Sequence, residues 1–499
     1  MLTRFKVHGF KNLVEVDLSL GPFTCIAGAN GVGKSNLFDA ISFLGDLADK
    51  SLMDAALSVR SDGGRNTEIR SLFHRVGDRY ESEIRFEVEM LVPATGVDDL
   101  GQEARATATF LRYELVLGLA PKGLVILKEA LAHISKTAAK KHLPFPHRPN
   151  WRNSVVLGRH VGPFISTVIK GDQVHIQLHQ DQGSDYKGGG RTRLHVAEKL
   201  PRTVLSSATN AAESPTAVLV RREMQSWRLL QLEPSALRAP DSYTAPQSMD
   251  ASGAHLPASL ARLCQWQGPY LVGESPPLFN RADHAEEIYT DVANRLAELV
   301  DDVHSVRVEA DDSRELLKLM LKDREGTEHE ARSLSDGTLR FLALAILERD
   351  PSVRGVLCLE EPENGIHPER IPAMLDLLQD LAVDPEDEVD DENPLRQVLI
   401  NTHSPAVVAQ VKESDLVVVF PEIVSRNGHQ GRQPGFRWLK DTWREKHRSE
   451  IPAVAEGSVV SYLYPVRPMV SPEVQDSTRR VVDRPGVQQW LSRPRFCRH

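Results

Sequence analysis

Cysteine is scarce in this chain, with 4 among 499 residues, at Cys25, Cys264, Cys358 and Cys497. They are far apart and form no CxxC pair, which excludes a disulfide framework or a thiolate zinc site and points to a reduced, cytoplasmic setting. Long apolar runs are missing too: none approaches the ~18 residues a membrane span needs. The opening Met1-Leu2-Thr3-Arg4-Phe5-Lys6 alternates charge with apolarity, so no signal-peptide core and no membrane association is expected. Positive charge is not in excess. Against 69 Asp+Glu there are 60 Lys+Arg, a net −9, which excludes a uniformly basic nucleic-acid coat but leaves room for a local basic groove. No internal repeat and no sustained heptad seam is present. What remains is ordinary for a globular protein, 41% hydrophobic and 26% charged, with length for two to four units at roughly 150 residues each.

Val14, Val16, Leu18 and Leu20 alternate with Glu15, Asp17 and Ser19, the pattern of a half-buried strand. Gly21-Pro22 turns the chain, Phe23 to Ala27 reads as a buried strand, and a helix begins near Ser35 with Leu37, Ile41 and Leu44 on one face. Further strands are expected near 82–90 and 109–118. The middle, 131–265, differs in character. It has Pro144, Pro146 and Pro149, a Gly188-Gly189-Gly190 run and a helical stretch near 213–231, and reads as an insertion or lid. Its segment 136–160 carries Lys136, Lys140, Lys141, Arg148, Arg152 and Arg159, no acid, and Trp151. Two readings stay open there, a solvated charged loop and a surface for nucleic-acid phosphates.

Regular patterning resumes after 280. A helix carries Ile288, Val292, Leu296 and Leu299, a hairpin turns at Asp323–Gly326, and a further helix starts after 338. Buried strands follow at Val356–Leu359, Val398–Ile400 and Leu416–Phe420. Between two of them, 384–392 holds seven acids in nine residues, read as a solvated surface loop. The stretch after Pro465 is rich in Pro and Arg and is expected to pack loosely.

Gly28-Ala29-Asn30-Gly31-Val32-Gly33-Lys34-Ser35 fits GxxxxGK[ST] between a buried strand and a helix. In that setting backbone N–H groups close on phosphate oxygens at the positive helix end. Lys34 can reach the β- and γ-phosphates, and the Ser35 hydroxyl can enter a Mg²⁺ shell. Much later, Ser333-Leu334-Ser335-Asp336-Gly337-Thr338 precedes an apolar helix. By itself it is an ordinary helix cap. Then a buried strand ends in Glu360-Glu361-Pro362, and another ends at Asn401-Thr402-His403-Ser404. Carboxylates at the C-terminal end of a central strand, facing a phosphate loop, suit Mg²⁺ placement and activation of water.

In this order the pieces resemble the ABC-type ATPase heads of the RecF, Rad50 and SMC superfamily, and within it the AAA15 branch, many of whose members are ATPase subunits of anti-phage systems. Phe5-Lys6-Val7-His8-Gly9-Phe10-Lys11-Asn12-Leu13 is similar to that branch's first strand and turn, and Leu334–Thr338 to its signature loop. Glu360–Asn364 is similar to its Walker B and D-loop, and Thr402-His403-Ser404 to its switch histidine. The resemblance implies an α/β fold, a P-loop head with a mixed sheet and flanking helices carrying an inserted lid. It partitions the chain into an N-terminal lobe (1–130), the insertion (131–265), a C-terminal lobe (266–465) and a tail (466–499).

It further implies ATP and Mg²⁺ held between two copies of the chain. Asn30, Gly31, Gly33, Lys34, Ser35 and Asn36 of one copy would bind nucleotide, completed by Ser335 and Gly337 of the other. Ser35 and Glu360 would support the metal, and Glu361, His403 and Lys34 would serve catalysis. The implied role is a dimerising ATPase that acts as sensor or motor of a defence complex and controls a separate effector such as a nuclease, with DNA as a possible ligand of 136–160. A RecF-like repair clamp and an ATP-held scaffold are the alternatives. Two departures stand out. Glu360 occupies the usual Walker B aspartate position, as in other double-Glu members, and the Q-loop glutamine has no clear place, Gln102 being in a plausible stretch. Ala455-Glu456-Gly457-Ser458 superficially resembles the first Toprim element of OLD nucleases, but no DxD follows, so Glu456 is read as structural. His8, His74 and His304 form no hydrolase triad and read as partly exposed strand or loop residues.

Overall fold

The computed structural model describes residues 1–59, 69–121, 123–181, 193–265, 281–426, 429–455 and 458. The Gly188–Gly190 run, Glu456, Cys497 and the tail 466–499 lie outside the described residues. All the elements below belong to one unit, Met1–Ala455.

Two sheets organise it. The larger has eight strands in the order Arg193–Val196, Gln173–Leu178, Pro163–Lys170, Gly123–His133, Phe110–Ala120, Glu83–Leu91, Leu2–His8, Val16–Ser19, all paired antiparallel. Its strands alternate, as Phe110–Ala120 shows: Leu111, Tyr113, Leu115 and Leu117 are buried while Arg112, Glu114 and Val116 are half-exposed. One face packs and the other meets solvent.

The second sheet runs Arg228–Leu230, Gly355–Glu360, Arg396–Thr402, Phe23–Gly28, Leu416–Arg426, His429–Arg437. Its first five strands are parallel and the last pair is an antiparallel hairpin. Its three central strands, Gly355–Glu360, Arg396–Thr402 and Phe23–Gly28, are buried along almost their whole length, as strands covered on both faces are. The helix Lys34–Asp46 joins the two sheets. Its Phe43 stacks on Phe10 at 5.7 Å and meets Phe86 of the large sheet at 6.1 Å, within one core that also takes in Ile26, Cys358, Leu399 and Val417. A smaller sheet places Leu316–Asp323 between Asp241–Ser242 and Val303–Asp311. The hairpin turn forms at Asp323–Gly326, where Asp323 Oδ1 accepts from Thr327 N at 2.7 Å.

Several expectations need correction. The helix expected over 213–231 spans Pro215–Gln225 only, and Arg228–Leu230 becomes a strand parallel to Gly355–Glu360. Residues 131–265 therefore supply three strands to the large sheet and an edge strand to the parallel one. The basic segment is two short helices, Lys136–His142 and Pro149–Val155. Trp151 is fully buried, 5.4 Å from Phe145, so it offers no face to a stacking base. The acidic loop is a surface loop as expected, all seven of its acids exposed, but it is also anchored to the basic segment. Arg148 N donates to Pro385 O at 2.9 Å, its side chain pairs with Glu386 at 2.7 Å, and Val389 N donates to Ser154 Oγ. Opposite charge brings together two segments more than 200 residues apart, which neither pattern discloses. His74 is buried, with Nδ1 2.7 Å from Lys11 O, whereas His8 is half-buried and His304 exposed. No helix among the described residues is long and apolar enough to cross a membrane.

Candidate nucleotide site

The phosphate loop joins the buried strand Phe23–Gly28 to the helix Lys34–Asp46. Gly31 and Gly33 adopt φ of 75° and 112°, left-handed conformations that a side chain would strain. A Cβ at Gly33 would also lie 2.5 Å from the Asn12 side chain. That asparagine props the loop, donating to Val32 O at 3.3 Å and accepting from Asn36 Nδ2 at 2.8 Å. The Asn36 amide is thus engaged with the first turn of the large sheet. Asn30, Gly31 and Ser35 are exposed. Lys34 is buried and folds back over the loop, its Nζ donating to Gly28 O at 2.7 Å and Ala29 O at 2.9 Å. Burial lowers its pKa, and the nearby charges of Glu361, Glu363 and Glu360 oppose that shift. The lysine and the carboxylates therefore share one electrostatic neighbourhood.

Parallel pairing puts Leu359 beside Ile400 and Glu360 beside Asn401, so both strands end level with the phosphate loop. Glu360 accepts from Asn401 Nδ2 and from Gln231 Nε2, each at 3.3 Å. Glu361 stands at φ 45°, its N–H donating to Asn401 O at 3.0 Å. Its carboxylate lies between His403 Nδ1 at 2.6 Å and Asn364 Nδ2 at 3.0 Å. Glu363 is buried, receives the Thr402 hydroxyl, and has its pKa raised by burial. A cavity of about 510 Å³ opens among Ser35, Gln231, Arg340, Glu360, Glu361 and Asn401.

Carboxylates, a hydroxyl and amide oxygens are the hard donors Mg²⁺ prefers, and the set fits it. Among the described residues no group of three or more His, Cys, Asp or Glu is arranged to hold a metal unaided.

Gln231 was not foreseen. It directly follows a three-residue strand whose pairing with Gly355–Glu360 exists only in the tertiary structure. Gln102, the earlier candidate, sits instead at the turn between Thr95–Val97 and Glu103–Arg105, its N–H bonded to Asp98.

Ser335 and Gly337 do not line this cavity. Ser335 is exposed at the cap of the helix Asp336–Arg349, accepting from Thr338 N at 3.2 Å. Arg238 steadies the loop, donating to Leu334 O at 2.9 Å and Asp336 Oδ1 at 2.5 Å. Gly337 is buried, and a Cβ there would stand 2.3 Å from Gly365 O. Gly337→Ala is therefore expected to destabilise the fold by about 1–3 kcal/mol through overpacking, read as a lower midpoint in thermal or urea unfolding.

A family profile described as "AAA domain, putative AbiEii toxin, Type IV TA system" matches residues 23–95 and 247–409. The chain is 30% identical over 120 residues to the DNA replication and repair protein RecF of Clavibacter sepedonicus, a stretch covering 24% of this chain and 28% of that relative. It is 48% identical over 48 residues to the OLD nuclease of Thermus scotoductus, 9% of each chain. The chain thus spans well under a third of the length of these relatives. Among solved structures, an Smc head bound to the C-terminal winged-helix domain of ScpA superposes over 88% of this chain and 98% of that one, with 13% identity and a TM-score of 0.44. A superposition that loose fixes no detail of the fold. By its ordered motifs and its matched stretches, the chain is similar over part of its length to the AAA-domain family, to RecF and to the OLD nuclease.

Proposed function

We propose that this chain binds and hydrolyses ATP with Mg²⁺, and that it does so at a site completed by a second copy. One observation carries the reading: a glycine-bent phosphate loop and a paired-carboxylate strand end emerge at the same end of one parallel sheet, flanking the strand Arg396–Thr402, whose following His403 is already on Glu361.

Lys34 leaves the carbonyls of Gly28 and Ala29 for the β- and γ-phosphates. Ser35 and Glu360, the latter bonded to Gln231, would hold the metal, which would supply neutralisation of the phosphate charge. Glu361 accepts the proton of the attacking water as the γ-phosphorus–oxygen bond to ADP breaks, and His403 orients that carboxylate. Ser335, at a helix start in the second copy, donates to the γ-phosphate. Nucleotide so placed favours the closed pair, and its hydrolysis releases it.

The wider role is that of an ATP-driven switch acting on a separate effector; the OLD nuclease likeness favours a nuclease. The RecF likeness supports a second reading, a DNA repair clamp, in which Lys136, Lys140 and Lys141, all exposed, meet phosphates.

Lys34→Ala separates ATP use from mere folding. It is expected to weaken binding of a fluorescent ATP analogue by more than about tenfold while still unfolding cooperatively, at a midpoint lowered only by the loss of its two carbonyl bonds. Equal binding by both proteins would overturn the reading. Tighter binding of wild type to a DNA junction on addition of ATP, lost in a triple Lys136, Lys140, Lys141 to Ala variant, would favour the clamp.

A further inference from the structure

We infer that Asn364, held by Arg340, positions the carboxylate of Glu361, and so ties the surface a second copy would engage to the chain's own reaction centre. The inference rests on the reading of Glu361 as proton acceptor.

Glu361 occupies a left-handed backbone conformation, φ 45°, which a non-glycine residue keeps only where its neighbours fix it. Asn364 grips it twice. Its N–H donates to Glu361 O at 3.0 Å, and its side-chain Nδ2 donates to Glu361 Oε2 at 3.0 Å. His403 takes the other oxygen, so the amide of Asn364 decides which way the carboxylate faces.

Asn364 is in turn anchored from the helix Asp336–Arg349, where Arg340 Nη1 donates to Asn364 O at 3.2 Å. The Nε of Arg340 is buried without a hydrogen-bond partner, although its side chain lines the cavity that Glu360 and Glu361 share. An arginine packed at that cost is placed for its hold on a neighbour rather than for burial. One turn earlier on the same helix, Gly337 lies against Gly365 with no room for a methyl group. The helix start and the turn 361–365 therefore move together.

Ser335 caps this helix and faces outward. A second copy that presses on Ser335 shifts Arg340, hence Asn364, hence the carboxylate. Each chain's reaction is tuned by what docks on its own signature loop, apart from what that loop donates to the other copy.

Asn364 is exposed, so its truncation leaves no buried group unsatisfied and the fold is kept. In Asn364→Ala, kcat for ATP is expected to fall by about tenfold or more with KM within about twofold, the mark of lost transition-state positioning. Arg340→Met, which has no donor, should fall in the same direction, and Arg340→Lys, which keeps one, should recover part of the rate. The double variant should be no slower than the slower single one, because the two act through one carboxylate.

Multiplicative losses would overturn the relay, as would a raised KM at constant kcat or rates within about threefold of wild type. Glu361→Gln distinguishes the two levels. If it turns over ATP like wild type, the reading of Glu361 itself fails. If it is slow while Asn364→Ala is not, only the relay fails.

Discussion

Glu361→Gln is expected to lower the rate of ATP turnover by about 10²–10⁴-fold, the range for removing a general base, while the protein still binds ATP. The substitution keeps the shape of the side chain and, through its one carbonyl oxygen, the bond from Asn364 Nδ2, with the new amide nitrogen facing His403 Nδ1. What it removes is the capacity to accept a proton from water. Glu360 does not replace it, because its carboxylate, fixed by Asn401 and Gln231, is the one assigned to the metal in this reading. Single-turnover phosphate release measures the rate, and size-exclusion chromatography with ATP and Mg²⁺ measures association. The variant should remain associated with ATP when wild type has dissociated after turnover. Unchanged release would show that the proton goes elsewhere, Glu363 being the remaining buried carboxylate in the neighbourhood of Lys34.

The second large effect comes from mixing two inactive proteins. Lys34→Ala lacks the ammonium proposed to grip phosphate. Ser335→Arg places a bulky cation where the small hydroxyl of a helix cap should meet the partner's nucleotide. Each alone is expected to be inactive in both sites of a symmetric pair. Mixed in equal amounts and allowed to exchange, half of the pairs contain one chain of each kind. In those pairs the Ser335→Arg chain's intact Lys34 meets the Lys34→Ala chain's intact Ser335, giving one whole site out of two. The mixture should therefore regain about a quarter of wild-type activity, as two-fold symmetry requires. A site built within a single chain would give no recovery at all, so the steady-state ATPase rate of the mixture decides between the two arrangements. Ser335 does not line the cavity around Glu360 and Glu361 of its own chain, which is why the recovery is expected.

How much of this could be read in advance depended on whether a feature is contiguous. The phosphate loop is eight consecutive residues, and its glycines, lysine and serine act through local backbone geometry. Gly31 and Gly33 accordingly stand at the left-handed angles their spacing implies. The strands Gly355–Glu360 and Arg396–Thr402 were legible because burial on both faces writes an unbroken apolar run into the sequence. The cap at Ser335 was legible because it satisfies the free N–H of Thr338 three residues on.

Gln231 was not legible. Its strand is three residues long, carries no period, and owes its existence to a neighbour more than 100 residues away. The basic segment was legible only in part, for a related reason. Lysines and a tryptophan in one stretch suggest a groove for nucleic acid, but the indole finds its partner in Phe145 and lies in a core, and Arg148 finds its counter-charge in the acidic loop. Composition records that these residues need partners without saying which.

Chain order and local chemistry thus settled the phosphate loop, the carboxylate pair, the helix cap and the alternation of the half-buried strands, because each is decided within one turn or one strand. Tertiary structure alone decided that Gln231 reaches Glu360, that Asn12 braces the phosphate loop, that Asn364 and His403 share the Glu361 carboxylate, and that Gly337 must lie bare against Gly365. These are meetings between segments whose approach is set by how helices and sheets pack, and packing answers to the shape and burial of the whole core rather than to any one stretch of it.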